Sequence, residues 1–148
     1  VLLHIVRDPR GVSWSAVKKA GRQGMRPLAA IRSGTAALGW TIANMVCELF
    51  GWRYPWNYLR LRYEDLVADP AAVTRDLFWQ LVPGEAWRPE DIGAGENRHQ
   101  LYGNRLRGRS LSLTDIKEDA AWRSDMPKAA RALVAVLTAP LRARYKYR

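Results

Sequence analysis

The segment Val1-Leu2-Leu3-His4-Ile5-Val6-Arg7-Asp8-Pro9-Arg10-Gly11 carries the strongest signal for the fold. Its first six residues are apolar except for His4, a pattern typical of a strand that is buried in a parallel sheet. Pro9 disfavours helix at Asp8, so a polar turn follows, and a helical pattern then runs from Val12 to Lys19. A strand, a tight turn and a helix in this order predict an α/β unit.

A second, longer helix is predicted to begin near Pro27 and to end at Gly51. Proline suits the first turn of a helix, and glycine commonly follows the last one. The apolar positions recur at helical spacing, at Leu28, Ile31, Leu38, Ile42, Val46 and Leu49. Within this helix Trp40 has the pattern of a core residue, and we expect the same of Trp79 in a later helix.

The rest of the chain continues the alternation of strand and helix. The period-two pattern of Tyr58 to Tyr63 predicts a second strand, and Pro70 begins a predicted helix that extends to about Val82. The segment from Pro83 to Arg109 shows little periodicity and predicts a long functional loop. Two closing helices are predicted, from Asp115 to Trp122 and from Pro127 to Leu137. This order favours an α/β fold with a parallel sheet.

Composition excludes several classes of protein. The chain has 148 residues, of which 24 are Lys or Arg and 14 are Asp or Glu, giving a formal charge of +10. With 48% hydrophobic residues, it is neither a disordered tail nor a collagen-like repeat. Its apolar stretches are too short for a membrane span. Cys47 is the only cysteine, so an intrachain disulfide and a cysteine-based zinc site are excluded, and we expect a cytoplasmic location.

The end of the first strand is the best candidate for an anion site. Ligands of open α/β sheets bind at the carboxyl ends of strands, and Arg7 stands there with Ser15 in the following helix. A guanidinium can hold a phosphate through two parallel hydrogen bonds, and a hydroxyl can donate a third. The alternative is structural: Arg7 pairs with Asp8 or another carboxylate, and Ser15 is an ordinary helix residue.

Three segments resemble the sulfotransferases that use 3′-phosphoadenosine 5′-phosphosulfate. Val1 to Ser15 resembles their 3′-phosphate-binding segment, in which a strand-end arginine and a serine eight positions later hold that phosphate, as Arg7 and Ser15 would here. Leu61 to Pro70 resembles the segment in which a tyrosine, here Tyr63, approaches the adenine. His99 to Trp122 resembles a late loop of bacterial members. Its residues that would close over the 3′-phosphate are Asn104, Arg105 and Arg107.

The resemblance implies a P-loop-type α/β domain and a sulfuryl transfer. The donor would be 3′-phosphoadenosine 5′-phosphosulfate and the acceptor a hydroxyl or amine of a small molecule or carbohydrate, with no metal and no nucleic acid as partner. The family's glycine-rich 5′-phosphosulfate loop precedes the segment that Val1 begins. We therefore expect residues 1–148 to form the C-terminal part of one domain, without turnover of its own. No catalytic base is assigned, because the family's base usually lies upstream of the position of Arg7.

Other residues with reactive side chains are expected to be structural. Glu64 and Asp65 follow the second strand, and as strand neighbours they would point to opposite faces, so we expect them to anchor a turn. His99 is predicted to make a structural hydrogen bond, and His4 to be a packed core histidine.

Two other functions remain open on the sequence alone. A charge of +10 and arginines interleaved with Trp and Tyr are compatible with a basic nucleic-acid-binding module, although no recognition motif is present. A fragment of a nucleotide kinase would share the fold class, and it would prefer ATP and magnesium over a 3′-phosphorylated nucleotide.

Overall fold

The computed structural model describes residues 1–21, 29–86, 88 and 119–147. These residues fall into two compact units. The first comprises Val1–Tyr63 and Asp119–Arg148, and the second comprises Glu64–Glu118. The candidate loop residues Asn104, Arg105 and Arg107, and with them His99, lie outside the described residues.

The first unit contains a two-stranded parallel sheet. Its first strand is not buried on both faces as the sequence predicted, since Leu3 is 38% and Ile5 50% exposed. Strand β1 (Leu2–Val6) pairs with β2 (Tyr58–Arg62), with Leu2 opposite Tyr58 and Val6 opposite Arg62. Helices α1 (Pro9–Gly21) and α2 (Ala29–Arg53) and a 3-10 turn (Pro55–Asn57) lie between the two strands in the chain. The prediction of a mixed α/β fold with a parallel sheet is therefore confirmed.

Five further helices complete the described chain. The bounds are α3 (Tyr63–Ala68), α4 (Pro70–Leu81), α5 (Trp122–Asp125), α6 (Lys128–Leu137) and α7 (Ala139–Arg144). The predicted helix from Pro70 is confirmed: Pro70 occupies its first turn, and the Asp69 carboxylate caps it by accepting a hydrogen bond of 2.9 Å from the Ala72 N–H. None of the described helices is long and apolar enough to cross a membrane.

Several predicted boundaries were wrong. Helix α1 begins at Pro9 rather than Val12, since Asp8 caps it: the Arg10 N–H donates to Asp8 Oδ1 at 2.8 Å. Helix α2 continues past Gly51 to Arg53, because a glycine inside a helix costs only about 1 kcal/mol. The ring of Tyr58 fills the space beside Gly51, where an added Cβ would lie 2.6 Å from it.

The segments on either side of the predicted loop also differ from expectation. Tyr63 begins helix α3 instead of ending a strand, and Glu64 and Asp65 lie in its first turn, so the strand argument about their opposite faces does not apply. The described residues 119 and 120 are not helical, and helix α5 begins only at Trp122.

The core of the first unit consists of two clusters. One contains Ala37, Trp122, Met126, Ala130 and Val134, and the other contains Val6, Trp40, Tyr145 and Tyr147. Trp40 is thus a core residue as predicted, whereas the expectation for Trp79 was wrong, since 54% of Trp79 is exposed. Helical spacing identifies a face of a helix but does not determine whether another element covers it.

Helix α2 buries the side opposite to its predicted apolar face. Its buried residues are Ser33, Gly34, Ala37, Trp40 and Asn44, mostly small, and they allow close contact with α1 and α6. An added Cβ on Gly34 would lie 3.4 Å from Leu133 of α6. The predicted apolar residues of the described part of α2 are exposed.

Candidate functional site

Arg7 follows β1 directly and connects the sheet to three other elements. Its carbonyl accepts a hydrogen bond of 3.0 Å from Trp40 Nε1, which ties the strand end to α2. Its Nη2 donates to the Asp119 carbonyl at 2.9 Å and lies 3.5 Å from Asp119 Oδ2. The guanidinium lies over the Tyr63 ring, 4.9 Å from its centroid. The Arg7 side chain is 24% exposed, so these contacts hold it at the surface.

One face of helix α1 lies next to Arg7 and Asp119. Gly11, Ser15 and Lys18 are spaced by four and three residues, so they share this face. An added Cβ on Gly11 would lie 3.4 Å from Arg7 Nε, and Lys18 Nζ lies 3.5 Å from Asp119 Oδ2. Ser15, which is half-buried, stands between Gly11 and Lys18. We call Arg7, Ser15, Lys18, Tyr63 and Asp119 the strand-end cluster.

The carboxylate that neutralises Arg7 is not the neighbouring Asp8. Asp8 holds Arg10 instead, through bonds of 2.6 Å from Nη2 and 3.0 Å from Nε. Arg10 also lies over the Trp122 ring, 4.4 Å from its centroid. Because Asp8 additionally accepts the Arg10 N–H, part of the α1 N-terminus is already satisfied by a side chain. An anion near the start of α1 would therefore be bound mainly by the side chains of the strand-end cluster.

The strand-end cluster carries more positive than negative charge. Arg7 and Lys18 share one oxygen of Asp119, whose side chain is 43% exposed. Burial alone would raise the pKa of Asp119, but the hydrogen bond from the Ala121 N–H and the charges of Lys18 and Arg7 outweigh it and lower the pKa. Asp119 is thus ionised near neutral pH, and two cations face a single carboxylate. A second anion can bind here without leaving a negative charge unpaired.

The structure brings Arg7 into contact with Tyr63 and Asp119, and Lys18 into contact with Asp119, while Ser15 lies on the same face of α1 as Lys18. The sequence prediction named only Arg7, Ser15 and Tyr63 of this set. Lys18 could have been found from its spacing of three residues after Ser15, which puts both on one helix face. Asp119 lies within the third resembling segment, but nothing in its neighbours predicts a contact with a residue 112 positions away.

A second polar cluster surrounds Glu48 of α2. Glu48 Oε1 accepts from Arg60 Nη1 at 2.7 Å, and Oε2 accepts from Arg144 at 2.9 Å and 2.7 Å. Burial raises the pKa of Glu48, but the hydrogen bonds from Arg144, Arg60 and Tyr145 prevail and lower it from 4.5 to about 2. Burial and the charge of Glu48 raise the pKa of Tyr58 to about 12. Neither group changes its protonation near neutral pH, so they suit structure better than acid–base catalysis.

His4 extends this second cluster into the core. It is 6% exposed, which agrees with the prediction of a packed histidine. Asn44 Nδ2 donates to the Trp40 carbonyl at 2.7 Å, so Asn44 Oδ1 faces His4 and accepts from its Nε2 at 2.8 Å. The Tyr58 hydroxyl lies 2.6 Å from His4 Nδ1 and donates to Glu48 Oε1 at 3.3 Å, within hydrogen-bond distance of both. Both ring nitrogens of His4 are occupied, which leaves none for a ligand.

The described part of the chain contains no group of three or more His, Cys, Asp or Glu side chains that could hold a metal ion. Cys47 is a free, half-buried thiol. Comparison with family models, with curated proteins and with solved structures found no match to this chain.

Proposed function

We propose that this chain is part of a sulfotransferase with a P-loop-like fold, and that the strand-end cluster holds the 3′-phosphate of 3′-phosphoadenosine 5′-phosphosulfate. The observation that carries the proposal is the meeting of Arg7, the Ser15 face of α1 and the Tyr63 ring at the ends of two neighbouring parallel strands. The resemblance assigns these three residues to the nucleotide, together with Asn104, Arg105 and Arg107, which lie outside the described residues.

The sheet register explains why these residues meet. Val6 is opposite Arg62, so the residues that follow them, Arg7 and Tyr63, leave the sheet at the same edge. The carboxyl edge of a parallel sheet is the usual ligand position in α/β folds. Here that edge offers a guanidinium, a lysine ammonium and a hydroxyl for a phosphate, with an aromatic ring for the adenine.

The two cations of the strand-end cluster, Arg7 and Lys18, together match the charge of a phosphate dianion. In the structure Asp119 takes up part of the charge of Arg7 and Lys18. A bound 3′-phosphate would compete with Asp119 for both cations, since each can donate to only a limited number of oxygens. Asp119 is therefore proposed to act as an internal counterion of Arg7 and Lys18, and its removal would strengthen nucleotide binding.

The reaction would move one sulfuryl group. The acceptor oxygen or nitrogen forms a bond to sulfur, and the bond between sulfur and the 5′-phosphate oxygen breaks. The nucleotide 3′-phosphoadenosine 5′-phosphate leaves with the electron pair, and the acceptor's proton passes to a base. Such a transfer depends on positioning and on charge stabilisation. Arg7, Ser15 and Lys18 would contribute positioning, because they would bind the far end of the donor rather than the reacting sulfur.

The proposal is tested by calorimetric titration of the chain with two nucleotides that differ only at one phosphate. We expect 3′-phosphoadenosine 5′-phosphate to bind more tightly than adenosine 5′-monophosphate. Arg7→Ala should weaken the first ligand by roughly 10- to 100-fold, as expected for a charged hydrogen bond of about 1.5–3 kcal/mol, and Ser15→Ala should weaken it less. Equal affinity of the unaltered chain for both nucleotides would refute the assignment.

Adjacent lysines provide a matched control. Lys18→Ala removes a cation that contacts Asp119, whereas Lys19→Ala removes the same charge from a position 100° further around α1. Only the first should weaken binding of 3′-phosphoadenosine 5′-phosphate. Equal effects of both variants would indicate a diffuse charge effect. Steeply salt-dependent binding of random DNA, or a preference for ATP with magnesium, would support the nucleic-acid or the kinase alternative instead.

A further inference from the structure

Helix α2 carries an exposed apolar stripe with the spacing of a coiled-coil seam. Its members follow one another at alternating steps of four and three residues, with Thr35 in one of the positions. The stripe consists of Ile31, Thr35, Leu38, Ile42, Met45, Leu49 and Trp52. This alternation is the heptad pattern, sustained over about three heptads, and it is typical of helices that pack along one another.

The stripe is not used by the fold of the first unit. Its large apolar residues are between 49% exposed, at Leu38, and 79% exposed, at Trp52. At 100° per residue, Ile42 and Leu49 lie on the side of the helix opposite Trp40, which is buried. The helix is therefore anchored on one side by small residues and presents a wide apolar surface on the other.

A groove continues the stripe onto a neighbouring helix. Met45, Leu49 and Trp52 of α2 and Leu141 of α7 line an open space of about 640 Å³. Val46, beside the stripe, is 62% exposed and also lines this groove. The apolar surface is therefore a continuous patch rather than a set of isolated side chains, and patches of this kind mark interaction sites.

The period of the stripe and the charge around it indicate what covers it. A spacing of 3.5 residues fits another helix, whose side chains would enter the gaps between those of α2. Arg32 and Glu48 are the charged residues between Ile31 and Trp52, and Glu48 is already paired with Arg60 and with Arg144, which also lines the groove. A second copy that packs along the stripe would therefore bury few charges.

The size of the stripe also suits a dimer. The exposed area of the stripe is on the order of several hundred Å². It comes from six large side chains, each about half or more exposed, and from Val46. A standard interface buries about 800 Å² per partner. A two-fold dimer brings the same patch of both copies together, and this is the commonest arrangement of soluble oligomers.

We propose that two copies of this chain associate through their α2 stripes. The proposal uses no residue of the strand-end cluster, and its test does not involve nucleotide binding. Because Ile42 lies near the middle of the stripe, it would meet Ile42 of the second copy whether the two helices run parallel or antiparallel.

The mass of the chain in solution, measured by light scattering during size-exclusion chromatography at about 0.15 M salt, tests the proposal. The unaltered chain should have the mass of a dimer, and dilution should shift it toward the monomer. Ile42→Glu and Leu49→Glu should each give a monomer with unchanged helical circular dichroism. The matched control is Val136→Glu, which alters a 73% exposed residue of α6 outside the stripe and should remain a dimer.

Disulfide trapping gives a second readout that does not depend on removing apolar surface. In a Cys47→Ser background, Ile42→Cys should form a covalent dimer under mild oxidation, and Val136→Cys should not. A folded chain that stays monomeric at about 100 µM would overturn the proposal, as would an oligomer that Ile42→Glu leaves intact. A monomer that binds vesicles of phosphatidylcholine and phosphatidylserine through the stripe would also overturn it, in favour of a membrane surface.

Discussion

Replacing Glu48 with Gln should lower stability at neutral pH and have much less effect in acid. The substitution keeps the size of the side chain and removes the charge that Arg60 and Arg144 share. The Glu48 side chain is 15% exposed, so its charge depends on these partners rather than on water.

The magnitude follows from the pKa of Glu48, which is lowered from 4.5 to about 2. That difference corresponds to about 3 kcal/mol of folding free energy near pH 7. Solvent screening reduces this free energy, because Arg60 and Arg144 are 37% and 58% exposed. We therefore expect Glu48→Gln to lower the unfolding free energy by about 2 kcal/mol. For a chain of this length, such a loss lowers Tm by roughly 4–8 °C.

The sign of the pH dependence is set by the depressed pKa. The stabilisation is complete above pH 4.5 and disappears as the pH falls toward 2, where Glu48 becomes protonated in the folded state. The difference in unfolding free energy between the unaltered chain and Glu48→Gln should therefore fall to less than half of its neutral value by about pH 3.

Urea unfolding followed by circular dichroism at pH 7 and pH 3 measures this difference. Asp76→Asn is the control, because the ion pair of Asp76 with Arg75 is exposed on both sides and should contribute little. A loss that is equal at both pH values would show that Glu48 acts through packing. A loss below about 0.5 kcal/mol at pH 7 would refute the ion-pair argument itself.

Four further substitutions test other parts of the structure. Gly51→Ala should destabilise the fold by about 1–3 kcal/mol in thermal unfolding, because the new Cβ would lie 2.6 Å from the Tyr58 ring. Gly39→Ala, where no atom lies within 4 Å of the new Cβ, should instead stabilise it by about 0.5–1 kcal/mol. Tyr58→Phe leaves His4 Nδ1 without its hydrogen-bond partner and should cost about 1–3 kcal/mol in urea unfolding, while an unchanged midpoint would show that this hydrogen bond is dispensable. Asp119→Asn should tighten calorimetric binding of 3′-phosphoadenosine 5′-phosphate severalfold, and weaker binding would contradict its role as a competing counterion.

Local chemistry was sufficient to predict the secondary structure that forms the site. The apolar run of β1, which His4 interrupts, the alternation of β2 and the proline at the start of α4 depend on neighbours a few residues away, and all three elements are present. Arg7 and Tyr63 meet at one edge of the parallel sheet because both follow strands, although the sequence pattern had put Tyr63 at the end of the second strand.

Contacts between distant residues were decided by the tertiary structure alone. Asp8, the neighbour of Arg7 in the chain, was one possible partner of Arg7, but it holds Arg10 instead. The packing of α5 against α1 brings Asp119 to Arg7. Helical periodicity likewise revealed the apolar face of α2 but not its exposure. Which face of a helix is buried depends on how closely its neighbours approach, and in α2 only the side with Gly34 and Ala37 is small enough for that approach.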